Sequence, residues 1–252
     1  MSIPNKNLIG LIPAAGKGSR LNLPYPKELY PIIRNDRYKP LSQFVVENLI
    51  TAGVHHIVFV INETKHQLMS YYGDGERFGC KFSYVYQERI NSSIESTSPG
   101  LSHALDAAYH LVRDQKVVFG MADTIMFPDD VFSHLIDTSP DSDDTNLGLF
   151  MVDTPHKFGM VKLDDSGHVV EIVDKPESTD LSFAWGCMVW PPKFTEYLHR
   201  KIQGQKELDF ARIMNNAITD KINFRGVIIP GGKYADLGTY EEIAELERKY
   251  QY

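Results

Sequence analysis

The chain has 252 residues, of which 42% are hydrophobic and 23% are charged, and its formal net charge is −7. Such a chain can bury a sizeable core, and its negative charge argues against binding nucleic acid through a general basic surface. The two cysteines, Cys80 and Cys187, have no metal-ligand spacing, so we expect buried thiols in a reducing compartment. The opening MSIPNKN lacks the apolar core of a signal peptide, and no apolar run could span a bilayer. We therefore expect a cytoplasmic protein with no membrane partner.

The first informative stretch is LIGLIPAAGKGSRLNLPYPKELYPI, at residues 8–32. Its apolar start, at residues 8–15, predicts a buried strand. The small residues that follow let backbone N–H groups approach a phosphate with no Cβ in the way, and they are Ala14, Ala15, Gly16 and Gly18. Arg20 can form two hydrogen bonds with phosphate oxygens, and Lys27 can supply a point charge. The stretch predicts a phosphate-binding loop, with a turn carrying surface cations as the alternative.

Two other phosphate loops are excluded by this spacing. A dinucleotide-binding fingerprint needs a third glycine three residues after the second, and Leu21 stands there. A Walker loop needs G-x-x-x-x-G-K-[ST], which the residues around Gly16 do not supply. A nicotinamide-dependent oxidoreductase is therefore not favoured.

The next elements alternate between helix and strand. The apolar spacing predicts helices over 41–52 and 64–72 and buried strands over 56–61 and 81–86. This order predicts a parallel sheet with right-handed crossovers, and ligands bind such sheets at the carboxyl ends of the strands. The glycine-rich loop follows the first strand, where that rule places a site.

A polar segment then leads to a second candidate site. Gln87 ends the third strand, with a solvated strand-end glutamine as the alternative interpretation. Ser98 and Pro99 are expected to open a helix that continues over 101–112. The apolar run 116–121 predicts a fourth strand and is followed by Asp123, which suits a Mg²⁺ ligand. The alternative is that Asp123 is an ordinary turn residue.

The C-terminal part is predicted as a mixture of strands and amphipathic helices. Strands are expected at 146–152, 159–163, 169–173, 183–190 and 223–229, and helices at 207–218 and 239–250. Asp174-Lys175-Pro176 follows the hairpin turn at 164–167, and alone it would be taken for an exposed turn. Thr239 and Glu242 form a capping box for the last helix.

These segments, taken in order, resemble the nucleotidylyltransferases, enzymes that join a nucleoside triphosphate to a sugar phosphate or a similar alcohol phosphate. The matches to the family's loop signature are Gly16, Gly18, Ser19, Arg20, Leu21, Pro26 and Lys27. The later matches are Gln87, Gly100, Asp123, Gly159, Asp174, Lys175, Gly186, Tyr234, Asp236, Gly238 and Thr239. Three departures are Phe158 where the family has Tyr, Asp174 where it has Glu, and a short loop between Arg20 and Lys27.

The resemblance implies a fold: an α/β, doubly wound, mostly parallel sheet with a β-rich acceptor-binding insertion near 146–190. It also implies one domain over 1–252, with a nucleotide-binding half at 1–145 and an acceptor-binding half at 146–252. The short loop before Lys27 is more similar to the cytidylyltransferases of isoprenoid synthesis, whereas the segments at 174–176 and 236–239 favour a sugar acceptor.

The implied reaction is transfer of a nucleotidyl group to a sugar 1-phosphate, best guessed as glucose 1-phosphate with dTTP or UTP, with release of pyrophosphate. Arg20 and Lys27 would be catalytic, and Mg²⁺ would bind Asp123 and Asp236. The nucleotide would bind Ala14, Ala15, Gly16, Gly18, Ser19, Gln87 and Gly100. The sugar phosphate would bind Gly159, Asp174, Lys175 and Gly186. The alternatives are a cytidylyltransferase acting on a non-sugar alcohol phosphate and a catalytically silent regulatory homologue; the oligomeric state stays open.

Overall fold

The computed structural model describes residues 8–16, 18, 20–34, 37–88, 100–138, 143–204 and 209–250. Ser19 of the glycine loop lies outside the described residues. The predicted helix start at Ser98 and Pro99 does so as well.

The strands of the described residues follow the predicted alternation closely in the N-terminal half. They are β1 (Leu8–Pro13), β2 (Pro31–Arg34), β3 (Arg37–Pro40), β4 (His56–Ile61), β5 (Lys81–Tyr86), β6 (Lys116–Gly120), β7 (Thr124–Phe127), β8 (Thr145–Met151), β9 (Gly159–Leu163), β10 (Val169–Asp174), β11 (Phe183–Trp190), β12 (Phe224–Ile228) and β13 (Lys233–Asp236). The helices are α1 (Leu41–Thr51), α2 (His66–Tyr72), α3 (Leu101–Ala107), α4 (Tyr109–Val112), α5 (Val131–Thr138), α6 (Pro192–Gly204), α7 (Phe210–Thr219) and α8 (Tyr240–Tyr250).

The central sheet is mixed, with a parallel half built from the N-terminal strands. Its main order is β10-β9-β11-β6-β1-β4-β5, and β8 joins it by pairing with β11 and β12. Strands β6, β1, β4 and β5 run parallel. Strand β11 enters antiparallel between β6 and β8. The carboxyl ends of β1, β4 and β6 therefore meet at one edge, as the strand–helix alternation predicted.

Helices cover both faces of the sheet, which confirms the expected doubly wound class. Alternate residues of β1 enter different cores: Ile9 and Leu11 pack with residues of α3, α6 and α7, whereas Leu8 and Ile12 pack with residues of α1, α2 and α5. A strand buried on both faces reads as one apolar run, and this is why β1 was recognisable in the sequence.

Several elements differ from the sequence-based prediction. The helix expected over 101–112 is divided at Ala108, and α6 was not predicted. The strands of the expected insertion near 146–190 join the central sheet, because β11 is hydrogen-bonded to β6. Two short ladders, β2 with β3 and β7 with β13, were also not predicted.

Among the described residues, no helix combines the length and the apolar character that crossing a membrane would require.

Candidate active site

The glycine loop is held against the end of β4. The backbone N–H of Ala14 donates to the Val60 carbonyl at 2.7 Å. The side-chain amide of Asn62 donates to the Ala15 carbonyl at 2.6 Å. Both bonds fix the start of the loop at the carboxyl edge of the sheet.

Lys27 lies across the glycine loop and reaches the end of β6. Gly18 has a φ of +63°, and a Cβ built there would lie 3.5 Å from Cγ of Lys27, so the loop forms one wall for the lysine stem. The Lys27 ammonium donates to the Asp123 carboxylate, and the two side chains are 12% and 16% exposed. Burial lowers the pKa of Lys27. Asp123, together with smaller contributions from other carboxylates, raises it by more, so the pKa lies above its ordinary value. The lysine is therefore charged at neutral pH.

The ladder between β7 and β13 brings Asp236 beside Asp123. Asp236 pairs with Thr124 in this ladder, and the Leu237 N–H donates to the Asp123 carbonyl at 3.0 Å. Burial, together with the charge of Asp123, raises the pKa of Asp236 to about 6. Two carboxyl groups from distant parts of the chain are thus close enough for the charge of Asp123 to affect Asp236.

The Arg20 guanidinium lies directly over Gly238. A Cβ built at Gly238 would lie 2.7 Å from Nη2 and 2.9 Å from Cζ of Arg20. The exposed arginine can therefore adopt this position only because residue 238 has no side chain.

Five of the expected nucleotide residues line one cavity, and Gly18 does not line it. Its volume is about 180 Å³, and its lining includes Ala14, Ala15, Gly16, Gln87, Gly100, Lys27 and Asp123. The Gln87 N–H donates to the Ile61 carbonyl at 2.8 Å, which places this residue at the edge of the site. Its buried Nε2 has no hydrogen-bond partner among the described residues, so this donor is available to a ligand.

A second, larger cavity of about 500 Å³ has Asp236, Phe158, Tyr234, Lys157 and Thr154 among its lining residues. Asp123 lines the smaller cavity and Asp236 lines the larger one, so each aspartate belongs to a different cavity.

The residues expected to hold the acceptor lie at the β9–β11 side of the site. Lys175 has a φ of +44°, and its backbone N–H donates to the Phe158 carbonyl at 3.0 Å. Asp174 pairs with Gly159, and the side chains of Asp174 and Lys175 are exposed. Neither residue lines the two cavities above.

The two acceptor-side glycines make room for aromatic rings. A Cβ built at Gly159 would lie 2.4 Å from Nε1 of Trp185. A Cβ built at Gly186 would lie 2.5 Å from ring carbons of Tyr234. The absence of a side chain at these two positions makes room for the rings of Trp185 and Tyr234. The binding of a sugar phosphate by Gly159 and Gly186 stays a prediction.

Two ion pairs near the site were not found from the sequence. Glu28 pairs with Lys65, both buried, and Lys157 pairs with Glu242 at 2.9 Å. The sequence held one signal for the first pair: Lys65 lies at the N-terminus of α2, where the helix dipole disfavours a cation, so an anionic partner could be expected. Glu242 belongs to the predicted capping box: its backbone N–H donates to the Thr239 hydroxyl oxygen at 3.3 Å, and its carboxylate also accepts from the Gly238 N–H at 2.9 Å.

The donor set fits a magnesium ion. Asp123 and Asp236 offer hard oxygen ligands. Burial, followed by the charge of Asp123, raises the pKa of Asp236, and a bound cation would offset both effects. Within the described residues, no group of three or more His, Cys, Asp or Glu could hold a metal. The protein would therefore supply these carboxylates alone, and the remaining ligands would be phosphate oxygens and water, as is common for Mg²⁺.

Residues 9–252 match the model of the family described as nucleotidyl transferase. The chain is 25% identical to a low-salt glycan biosynthesis nucleotidyltransferase from Haloferax volcanii, over 95% of this chain and 65% of that protein. It is 27% identical to a glucose-1-phosphate thymidylyltransferase from Streptomyces griseus, over 94% of this chain and 64% of that protein. The chain thus spans a little under two thirds of the length of these relatives.

Two solved structures share the fold. One is a Bacillus anthracis protein assigned as a glucose-1-phosphate thymidylyltransferase and crystallised with sucrose; its TM-score is 0.81 at 23% identity, covering 97% of this chain and 95% of that one. The other is a UDP-glucose pyrophosphorylase complexed with UDP-glucose, with a TM-score of 0.79 at 23% identity, covering 97% and 98%. The expected fold and the suspected family are confirmed.

Proposed function

Because this chain belongs to the nucleotidyl transferase family, we propose that it transfers a nucleotidyl group from a nucleoside triphosphate to a sugar 1-phosphate. The observation that carries the proposal is the pair of neighbouring aspartates, of which Asp123 lines a small cavity and Asp236 lines a large one. Lys27 and Arg20 supply positive charge beside this pair. The arrangement suits two phosphate-bearing substrates that meet at a shared pair of carboxylates.

The triphosphate binds along the glycine loop in this proposal. The base enters the 180 Å³ cavity, where the unpaired Nε2 of Gln87 donates to it. Lys27 lies at the mouth of this cavity, where the α-phosphate would follow the base and ribose. Arg20, over Gly238, binds the β- and γ-phosphates with its planar fork of N–H donors.

The acceptor approaches from the side of Asp236 and Lys175. An oxygen of its phosphate attacks the α-phosphorus, a new P–O bond forms, and the bond to the β-phosphate oxygen breaks as pyrophosphate leaves. Lys175 binds the acceptor phosphate and Asp174 accepts hydrogen bonds from ring hydroxyls. The protein contributes position and positive charge rather than covalent chemistry.

Asp123 and Asp236 hold Mg²⁺ in this account. When bound, the ion withdraws negative charge from the phosphate oxygens. Lys27, which donates to Asp123 in the ligand-free protein, keeps its ammonium at this position and stabilises charge on the α-phosphate.

For substrates we propose glucose 1-phosphate with dTTP or UTP. Support comes from the names of the relatives: thymidylyltransferases acting on glucose 1-phosphate, and a pyrophosphorylase solved with UDP-glucose. The cytoplasmic location expected from the sequence and the single-domain organisation stay predictions.

The experiment is a pyrophosphate-release screen of ATP, GTP, CTP, UTP and dTTP against hexose 1-phosphates and open-chain alcohol phosphates. We expect release only when a sugar 1-phosphate is present, with a pyrimidine triphosphate as the best donor. Faster turnover of an open-chain alcohol phosphate with CTP would instead support the cytidylyltransferase alternative. No release with any pair would support the silent regulatory homologue.

A further inference from the structure

Beside the proposed catalytic Lys27 lies a buried ion pair. The Lys65 ammonium donates to both carboxylate oxygens of Glu28, at 2.9 and 2.8 Å. Both side chains are only 2% exposed. Removing two charges from water is costly, and a pair of this kind is often no more stabilising than apolar residues of similar volume. Its presence beside the site therefore calls for a reason other than stability.

The local backbone couples Glu28 to Lys27. Residues Lys27–Leu29 form a single 3-10 turn, closed by bonds from Leu29 N–H to the Pro26 carbonyl and from Tyr30 N–H to the Lys27 carbonyl, each 2.9 Å. Successive side chains of such a turn point about 120° apart. Lys27 and Glu28 both line the nucleotide cavity, but the Glu28 side chain is only 2% exposed and bonds with Lys65. Fixing Glu28 therefore fixes the direction of Lys27.

Glu28 is fixed at its backbone as well as at its carboxylate. The Ser42 hydroxyl donates to the Glu28 carbonyl at 2.8 Å, and the Tyr72 hydroxyl lies 2.7 Å from the same Ser42 oxygen. Ser42 and Tyr72 are buried. Ser42 thus holds the turn at the Glu28 carbonyl, and Lys65 holds it at the Glu28 carboxylate. Neither residue is proposed to contact a substrate.

Lys65 connects this turn to the glycine loop. Its backbone N–H donates to the Asn62 carbonyl at 3.0 Å, and the Asn62 side chain donates to the Ala15 carbonyl at 2.6 Å. The segment 62–65 at the end of β4 therefore bonds to both halves of the phosphate site. It sets the separation between the backbone of the loop and the ammonium of Lys27.

We propose that Glu28 and Lys65 are positioning residues that hold the Lys27 ammonium at the α-phosphate. This inference rests on the proposed function for its kinetic consequence, but its structural content is the placement of Lys27. Lys65 does not line the nucleotide cavity, and its ammonium donates to both carboxylate oxygens of Glu28. It acts through Glu28 rather than on the substrate.

The test replaces the pair as a whole, because removing one partner leaves a buried unpaired charge that destabilises the fold. The Glu28→Leu/Lys65→Met double variant should keep a thermal midpoint at or above that of the wild type. Its kcat should fall by up to about 10²-fold, the scale for a displacement of about 1 Å at a reacting group. The dissociation constant for the triphosphate should change only a few-fold. Glu28→Asp, which keeps a carboxylate for Lys65, should lose less kcat than the double variant.

A second readout follows Lys27 directly and does not depend on turnover. The rate at which an amine-selective reagent labels Lys27, measured by mass spectrometry, should rise several-fold in the double variant. Lys201→Met is the matched control, since it removes a lysine from an ion pair with Asp220 far from the described site residues. Its kcat and the Lys27 labelling rate should equal those of the wild type.

The outcomes separate the two proposals. An inactive wild type contradicts the proposed function, and the labelling rate then decides the positioning role alone. A stably folded double variant with wild-type kcat and wild-type Lys27 labelling overturns the inference. Weaker triphosphate binding with an unchanged kcat and an unchanged Lys27 labelling rate also overturns it.

Discussion

The Lys27 ammonium donates to the Asp123 carboxylate, which joins the glycine loop to the end of β6 across 96 positions of the chain. Both residues line the smaller cavity, so the pair keeps a cation and an anion in its wall. Each member has a separate role in the proposed reaction, so each can be tested by itself.

Lys27→Ala should lower kcat by about 10²–10³-fold, the scale for removing one group that stabilises charge in a transition state. The triphosphate dissociation constant should change less, because Arg20 and the loop backbone still bind the phosphates. Steady-state kinetics with a direct binding titration measures both, with Lys201→Ala as the control. Turnover within a few-fold of the wild type would show that Lys27 does not act at the α-phosphate.

Asp123→Asn and Asp236→Asn should each abolish the response of activity to added Mg²⁺, because each removes one of the two proposed carboxylate ligands. Chelation by EDTA should silence the wild type, and added Mg²⁺ should restore it. The measurement is the initial rate over a magnesium titration. If either variant saturates with Mg²⁺ as the wild type does, the two-aspartate site is wrong.

Gly238→Ala should weaken triphosphate binding in the same direction as Arg20→Ala. An added methyl would lie 2.7 Å from the guanidinium, and the flexible end of the arginine must move away from it. The double variant should be no worse than Arg20→Ala alone, because both changes remove the same contact. Additive losses in the binding titration would mean that Gly238 acts independently of Arg20.

Lys175→Ala should raise KM for the acceptor phosphate and leave the triphosphate dissociation constant nearly unchanged. Two phosphates of the same sign repel one another strongly at low dielectric, so the acceptor needs a cation nearby. Lys162→Ala, at an exposed lysine of β9, is the matched control. Equal effects of Lys175→Ala on both substrates would contradict its assignment to the acceptor.

The unfolding free energy of the metal-free protein should depend on pH through Asp236. The folded pKa of about 6 lies above the ordinary value of 3.8, so the folded state binds this proton more tightly than the unfolded chain does. The stabilising contribution of this protonated carboxyl group is fully present below about pH 4. It is lost as pH rises through 6, which lowers the unfolding free energy by up to about 3 kcal/mol. Denaturant unfolding of Asp236→Asn over this range should show a smaller decline than the wild type. An identical decline in both proteins would rule out Asp236 as its source.

The parts of the site that lie on or directly after buried strands could be predicted from the sequence. The apolar runs of β1 and β6 were recognisable because both strands are buried on both faces. The glycine loop and Asp123 follow directly after these strands, and the strand-end rule places them together.

Other parts depend on contacts that no local pattern contains. Asp236 reaches Asp123 through the four-residue ladder of β7 and β13, which joins segments more than a hundred residues apart. Family resemblance indicated Asp236, but periodicity did not. The pair of Glu28 and Lys65 was missed because charged residues are seldom fully buried, and a sequence does not show which of them are paired. Helix α6 was not predicted; it begins at Pro192, and proline is favourable in the first turn of a helix.

The most direct test of nucleotidylyl transfer is the fate of the α-phosphorus. The protein would be incubated with Mg²⁺, glucose 1-phosphate and UTP or dTTP radiolabelled at the α-phosphorus, and the products separated by chromatography. The account predicts that the label appears in a sugar nucleotide, that unlabelled pyrophosphate is released in equal amount, and that omitting glucose 1-phosphate prevents both. Label recovered as nucleoside monophosphate, or unlabelled phosphate transferred to the sugar with labelled diphosphate left behind, would contradict it.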